Sequence, residues 1–218
     1  MLASIRTCGS LDPMDTKAPL LGEPLPVELM NTVWADRDGV HDALRDPDGP
    51  RSWLRAVAPR TDLLTPADLD ALTGPDLDRL GRQLTSLRDA LRRLAAEATA
   101  DPRAAAASAI RDLPEAVTVL NRAAAGTPHW AELSWPPGRA PARRTRTAGQ
   151  PASAAVSAIA AEAVALFAGD TRTLLRPCLA PSCVLYFVKN HPRREWSSPA
   201  CGNRVRAARH YRRTRGTA

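Results

Sequence analysis

Six leucines, at positions 77, 80, 84, 87, 91 and 94, alternate three- and four-residue spacings. Only an α-helix gathers such a set on one face, so the segment predicts a long amphipathic helix with its leucines turned toward neighbours. Arg79, Arg82, Arg88, Asp89 and Arg92 fall on its other faces. The stripe runs for fewer than three full heptads and lacks strong flanking charge pairs, which favours an intramolecular core over a coiled coil between chains. Aromatic residues make up 4% of the 218 residues within a hydrophobic content of 44%. Leu, Val and Ala must therefore supply most of the core, and a mainly α fold with a helical, bundle-like N-terminal domain is expected.

Shorter signals surround this helix. Val27, Met30, Val33 and Trp34 fit one helical face, and Trp53, Leu54 and Val57 follow a turn at Asp46-Pro47-Asp48-Gly49. Thr65, Pro66 and Asp68 have the order of an N-cap, a first-turn proline and a capping acid, ahead of Leu69 and Leu72; Gly74-Pro75 closes that stretch. Asp101-Pro102 predicts the opening of an Ala-rich helix to Ile110, and Pro114 a further one with Val117 and Leu120 inward. Residues 136–151 combine prolines, glycines and Arg143, Arg144 and Arg146 without an apolar face, and read as an exposed loop or loose hairpin. The last core helix has Val156, Ile159, Ala163, Leu166 and Phe167 on one side and stops at Gly169. Three units result: an unstructured start at 1–22, a helical domain at 23–170 and a basic module at 171–218.

The charge of that last unit narrows the partners. Positions 171–218 hold 11 Arg or Lys against one acid, Glu195, so the segment carries about +10 of a net +7 and the rest sums to about −3. A localised cationic segment draws polyanions by releasing their condensed counterions. Nucleic acid is the expected partner, with duplex DNA ahead of RNA because the aromatic and basic strand motif of common RNA modules is missing. The first twenty residues place Asp12, Pro13, Asp15 and Lys17 where a signal peptide needs an apolar core, and no run of eighteen apolar residues occurs. A cytoplasmic location without a membrane partner is expected.

Three of the four cysteines, Cys178, Cys183 and Cys201, crowd into 24 residues. In a chain without a secretory signal this spacing points to a metal rather than to disulfides. Cys178 and Cys183 can approach one ion across a turn that contains Pro181. Gly202 can take a left-handed conformation, and Asn203 can cap the helix that follows. That helix would carry Arg204, Arg206, Arg209, Arg212, Arg213 and Arg215, the candidate nucleic-acid contacts, with Arg206, Arg209 and Arg213 on one face. Trp196, Tyr186 and Phe187 read as the apolar plug of a small module.

The run Trp196-Ser-Ser-Pro-Ala-Cys-Gly-Asn-Arg204 resembles the Trp-Cys-Ser-Pro-Ala-Cys-Gly-Asn-Arg signature of the CGNR zinc finger family, with Ser197 in place of its first cysteine. The resemblance extends to Arg206, Arg209, His210, Tyr211 and Arg212, and backward to Arg176, Cys178, Pro181, Cys183 and Phe187. Glu28-Leu-Met-Asn-Thr-Val33 with Trp53-Leu54 is similar to the opening of the ABATE domain, the usual N-terminal companion of that finger. The resemblance implies a treble-clef-like finger ending in a basic helix, Zn2+ as cofactor, and a bacterial transcription regulator linked by name to stress.

Ser197 is a poorer zinc ligand than a thiolate, so the fourth ligand stays open between His191, His210 and Ser197, beside a three-sulfur site completed by water and a metal-free finger. Three anionic sulfurs blunt the Lewis acidity of a zinc ion, and the acid nearest in sequence is Glu195, so no enzyme activity is expected. The alternative to a DNA-binding regulator is a protein-interaction or ligand-sensing module with a structural finger.

Overall fold

In the computed structural model, which describes residues 18–215, the leucine-striped segment is the longest helix, α4. Numbered in chain order, the helices are α1 (Leu25–Met30), α2 (Gly49–Val57), α3 (Pro66–Asp70), α4 (Gly74–Thr99), α5 (Leu113–Ala124), α6 (Pro151–Ala168) and α7 (Pro199–Arg215). Three two-stranded antiparallel hairpins join them: β1 (Val33–Ala35) with β2 (Val40–Asp42), β3 (His129–Ser134) with β4 (Ala142–Thr147), and β5 (Leu175–Pro177) with β6 (Tyr186–Val188).

α4 starts at a capping box in which the Thr73 hydroxyl accepts the Asp76 N–H and the Asp76 carboxylate accepts the Thr73 N–H. Leu80, Leu84, Leu87 and Leu91 then face inward and are buried. α5 and α6 lie against α4, and the short α1, buried on every side, packs on α4 and α6. The shared core joins these leucines to Leu29, Met30, Trp53, Leu54, Val156, Ile159 and Ala163. α6 is long and apolar enough to cross a membrane by composition alone, but half of it is buried inside the fold, as suits a core helix.

Several local expectations change. The face drawn through Val27, Met30, Val33 and Trp34 breaks at Asn31, because Thr32, Val33 and Trp34 are β-branched or aromatic and Asp38-Gly39, with Gly39 at φ 130°, turns them into a hairpin. The helix expected after Asp101 is a single 3-10 turn, Ala104–Ala106, since the chain is diverted there by side-chain bonds described below. In α5 the inward residues are Ala116 and Leu120, and Val117 is exposed. Of the two readings of 136–151, exposed loop or loose hairpin, the hairpin is the one found. Residues 142–147 form β4, paired from His129↔Thr147 to Ser134↔Ala142, with Arg143 bonded to Asp62 and Arg146 to both carboxylate oxygens of Glu132.

Residues 1–17, most of the expected unstructured start, lie outside the described residues. Its remaining part is ordered: Ala18 is buried, and Leu21 packs on the C-terminal module while its N–H donates to the buried Glu28 carboxylate. The C-terminal module also shares the main core, to which Leu175, Tyr186 and Val188 belong.

Candidate metal centre and basic helix

β5 and β6 form the base of a knuckle. Its tip runs from Cys178 to Leu185 and is closed by the Cys178 N–H to Leu185 carbonyl bond at 2.9 Å and the Cys183 N–H to Ala180 carbonyl bond at 3.0 Å. The left-handed residue the tip requires is Ser182, at φ 60°. Gly202, which the sequence assigns to that conformation, instead lies inside α7. A Cβ there would stand 3.2 Å from Cδ1 of Trp196, so the glycine lets the indole lie against the helix. Asn203 likewise does not cap the helix. α7 starts at Pro199, where the Ser198 hydroxyl accepts the Cys201 N–H at 3.3 Å, and Asn203 accepts a bond from Arg206.

This early start places Cys201 in the first helical turn and aims its sulfur at the knuckle. The Sγ atoms of Cys178, Cys183 and Cys201 are buried and lie within 4.8 Å of one another, Cys183 and Cys201 being 3.8 Å apart. Zinc–sulfur bonds of roughly 2.3 Å set at tetrahedral angles require a sulfur separation of about 3.8 Å, so the donor set fits the ion. The Ser197 hydroxyl oxygen lies 3.4 Å from the Cys201 sulfur and 3.8 Å from that of Cys183, and the Ser197 N–H points to the Cys178 sulfur at 3.4 Å. Serine thus stands at the fourth vertex. The site is a three-sulfur, zinc-type centre with a hydroxyl where a fourth thiolate would complete it.

Of the candidates left open for the fourth position, neither imidazole lies at the sulfurs. His191 is exposed, with its Nδ1 accepting the Arg193 N–H, and His210 is exposed along α7. Among the described residues no His, Asp or Glu joins the three sulfurs. Hydrogen bonds from Cys178 and Cys183, with smaller contributions from Ser197 and Ser198, hold the Cys201 thiol far below the ordinary thiol range. The reciprocal bonds to Cys178 and Cys201, together with burial, push Cys183 far up. Cys201 lies in the N-terminal turn of α7, where the helix dipole favours an anion. Burial opposes the charge of Arg204, but attraction to the sulfurs of Cys201, Cys183 and Cys178 together outweighs it, and the guanidinium Nη2 lies 3.0 Å from the Cys201 sulfur.

Arg204, read from the sequence as a nucleic-acid contact, has the Cys201 sulfur as its partner. Arg206, Arg209, Arg212 and Arg213 are exposed along α7, and the side chain of Arg215 lies outside the described residues. Trp196 and Phe187 pack around the cysteines with Leu21 and Trp34, as a plug should.

Sequence reasoning missed the residues that tie this module to the helices. The Asn31 side chain brackets Tyr186, donating to its carbonyl and accepting its N–H, both at 2.9 Å. Glu23 accepts the Val188 N–H at 2.9 Å and pairs with Arg194, which lies over Phe187. Arg92, buried in α4, donates to the carbonyls of Met30 and Ala106 at 2.9 and 3.0 Å and reaches that of Val184 at 3.4 Å. The available signal was periodicity, since Arg88 and Arg92 follow Leu84 at steps of four and border the buried stripe.

A helical body carrying a cysteine knuckle and a third cysteine at the start of a basic helix defines a mainly α zinc-finger protein. The chain belongs to the ABATE family: residues 23–170 match its model, described as "Putative stress-induced transcription regulator", and residues 175–214 match the CGNR zinc finger. No curated protein matches the chain.

Proposed function

We propose that this protein is a cytoplasmic transcription regulator that binds duplex DNA through α7. The observation that carries the reading is the row of exposed Arg206, Arg209, Arg212 and Arg213 on a helix whose root is set by the cysteine centre. Phosphates would be met by these guanidinium groups, while Arg204 holds the helix to the cysteines and Trp196 fixes its start. The protein is read as a binder without catalysis, because three thiolates leave a zinc ion weakly acidic and Glu195 is engaged by Lys189.

The test is fluorescence anisotropy on duplex DNA across a salt series. Each neutralised phosphate contributes a log-log slope of roughly −0.9, so about four contacts give a slope near −3.6. Arg206→Glu with Arg209→Glu should flatten that slope and weaken binding at least about tenfold. No binding at low salt, or a clear preference for single-stranded RNA, would refute the reading.

A second reading, ligand sensing by the helical domain, is favoured by a half-open cavity of about 370 Å3 between α4, α5 and α6. Its floor holds Leu87 and Val156 and its rim Arg82, Ser86 and Arg122, a lining suited to a small anion with an apolar part.

A further inference from the structure

Arg103 lies in the loop after α4, 75 residues before Cys178, and its Nη1 is 3.1 Å from each of three carbonyl oxygens, those of Cys178, Cys183 and Leu185. These carbonyls converge because the chain doubles back at the knuckle, and without a cation between them their dipoles would repel. The guanidinium is held from behind. Asp101 accepts from Nε at 2.8 Å and from Nη2 at 2.6 Å, the Tyr186 hydroxyl donates to the same carboxylate at 2.6 Å, and the Tyr186 ring lies 4.9 Å from the guanidinium carbon. Both charged side chains are nearly buried, at 12% and 2% exposure. Charge-assisted bonds shielded from water in this way are stronger than neutral ones. A planar fork that faces a carboxylate with one edge and carbonyls with another tip is a geometry only arginine provides.

An ordinary small finger orders its knuckle when the metal draws its thiolates together. Here a cation supplied by the helical domain draws together the backbone of two of the same three cysteines. We propose that Arg103 is a positioning residue for the cysteine centre, clamping the knuckle from outside the finger so that its shape persists without bound metal. The metal-affinity part of this inference rests on the zinc-finger reading above; the part that concerns knuckle order does not.

The experiment is amide hydrogen exchange on the full chain, zinc-loaded and after chelation, in wild type, Arg103→Met, Arg103→Lys and Asp101→Asn, beside a zinc titration against a competing chromophoric chelator. In the wild type, protection of the knuckle amides of Cys178 and Cys183 should change by no more than about threefold on chelation. Arg103→Met should lose that protection when metal-free and regain it with zinc, and its apparent zinc affinity should fall roughly ten- to a hundredfold. Arg103→Lys should lie between the two, and amides of α4 and α6 should stay protected throughout.

Loss of knuckle protection in chelated wild type, or an Arg103→Met variant equal to wild type in both readouts, would overturn the proposal. Should Arg103→Met expose α4 as well, Asp101→Asn decides instead, because it keeps the guanidinium and loosens only its anchor: a shift toward metal dependence supports the clamp and none refutes it. If no variant binds zinc, the metal reading fails, while the exchange difference between wild type and Arg103→Met still tests the clamp.

Discussion

Ser197 is the residue on which the cysteine centre turns. Its hydroxyl stands 3.4 Å from the Cys201 sulfur, at the vertex a fourth thiolate would take, and its chemistry rather than its position limits zinc binding. Ser197→Cys should therefore raise zinc affinity by roughly a hundredfold or more, giving one tightly held ion by elemental analysis after dialysis against a chelator. Equal retention in both proteins would show that the hydroxyl already serves as a full ligand. Asp101 sets the acid limit of the adjoining clamp. Burial pushes its carboxyl up, but bonds from Arg103 and Tyr186 together outweigh burial and hold it below the usual value of 3.8. A depressed carboxyl contributes stability that is present above the unfolded value and is lost as pH falls through the folded one. Protection of the Cys178 and Cys183 amides should thus hold steady from pH 8 down to about 5 and fail only below about 3.8, whereas in Asp101→Asn that acid step should vanish.

The elements show where local chemistry suffices and where it does not. α3 and α4 begin at Thr65 and Thr73, each with an aspartate three residues on, and both boxes are made as the residues suggest. α4 ends at Ala100 in the left-handed conformation, φ 47°, where glycine is the usual occupant. Ala100→Gly should remove roughly 1 kcal/mol of strain and raise the melting temperature by about 2–4 °C, measured by calorimetry. An unchanged or lower value would mean that the entropy glycine adds to the unfolded chain cancels the relief. The hairpins were harder to read than the helices. β1 and β2 are three residues each, too short for alternation to stand out, and β4 is an arginine-rich strand whose pairing depends on β3 rather than on its own composition.

For the molecule as a whole, the finger and the helices should unfold together. Leu175, Tyr186 and Val188 share the main core, and Asn31, Glu23, Arg92 and Arg103 satisfy backbone groups of the finger that would otherwise be buried without partners. Heating should give a single transition by both tryptophan fluorescence and far-ultraviolet circular dichroism. Arg92→Met should lower its midpoint for both probes alike, by roughly 3 kcal/mol of stability, because it orphans buried carbonyls. Two separate transitions would show that the finger is an independent module.

The helical class, the leucine face of α4, the cysteine cluster and the basic tail could be read along the chain, because each rests on periodicity, composition or spacing, all properties of near neighbours. The bracketing of Tyr186 by Asn31, 155 residues away, and the clamp of Arg103 on a knuckle 75 residues away could not. Those depend on which distant groups arrive at one point, and that is set by how α4, α1 and the β5–β6 hairpin pack together.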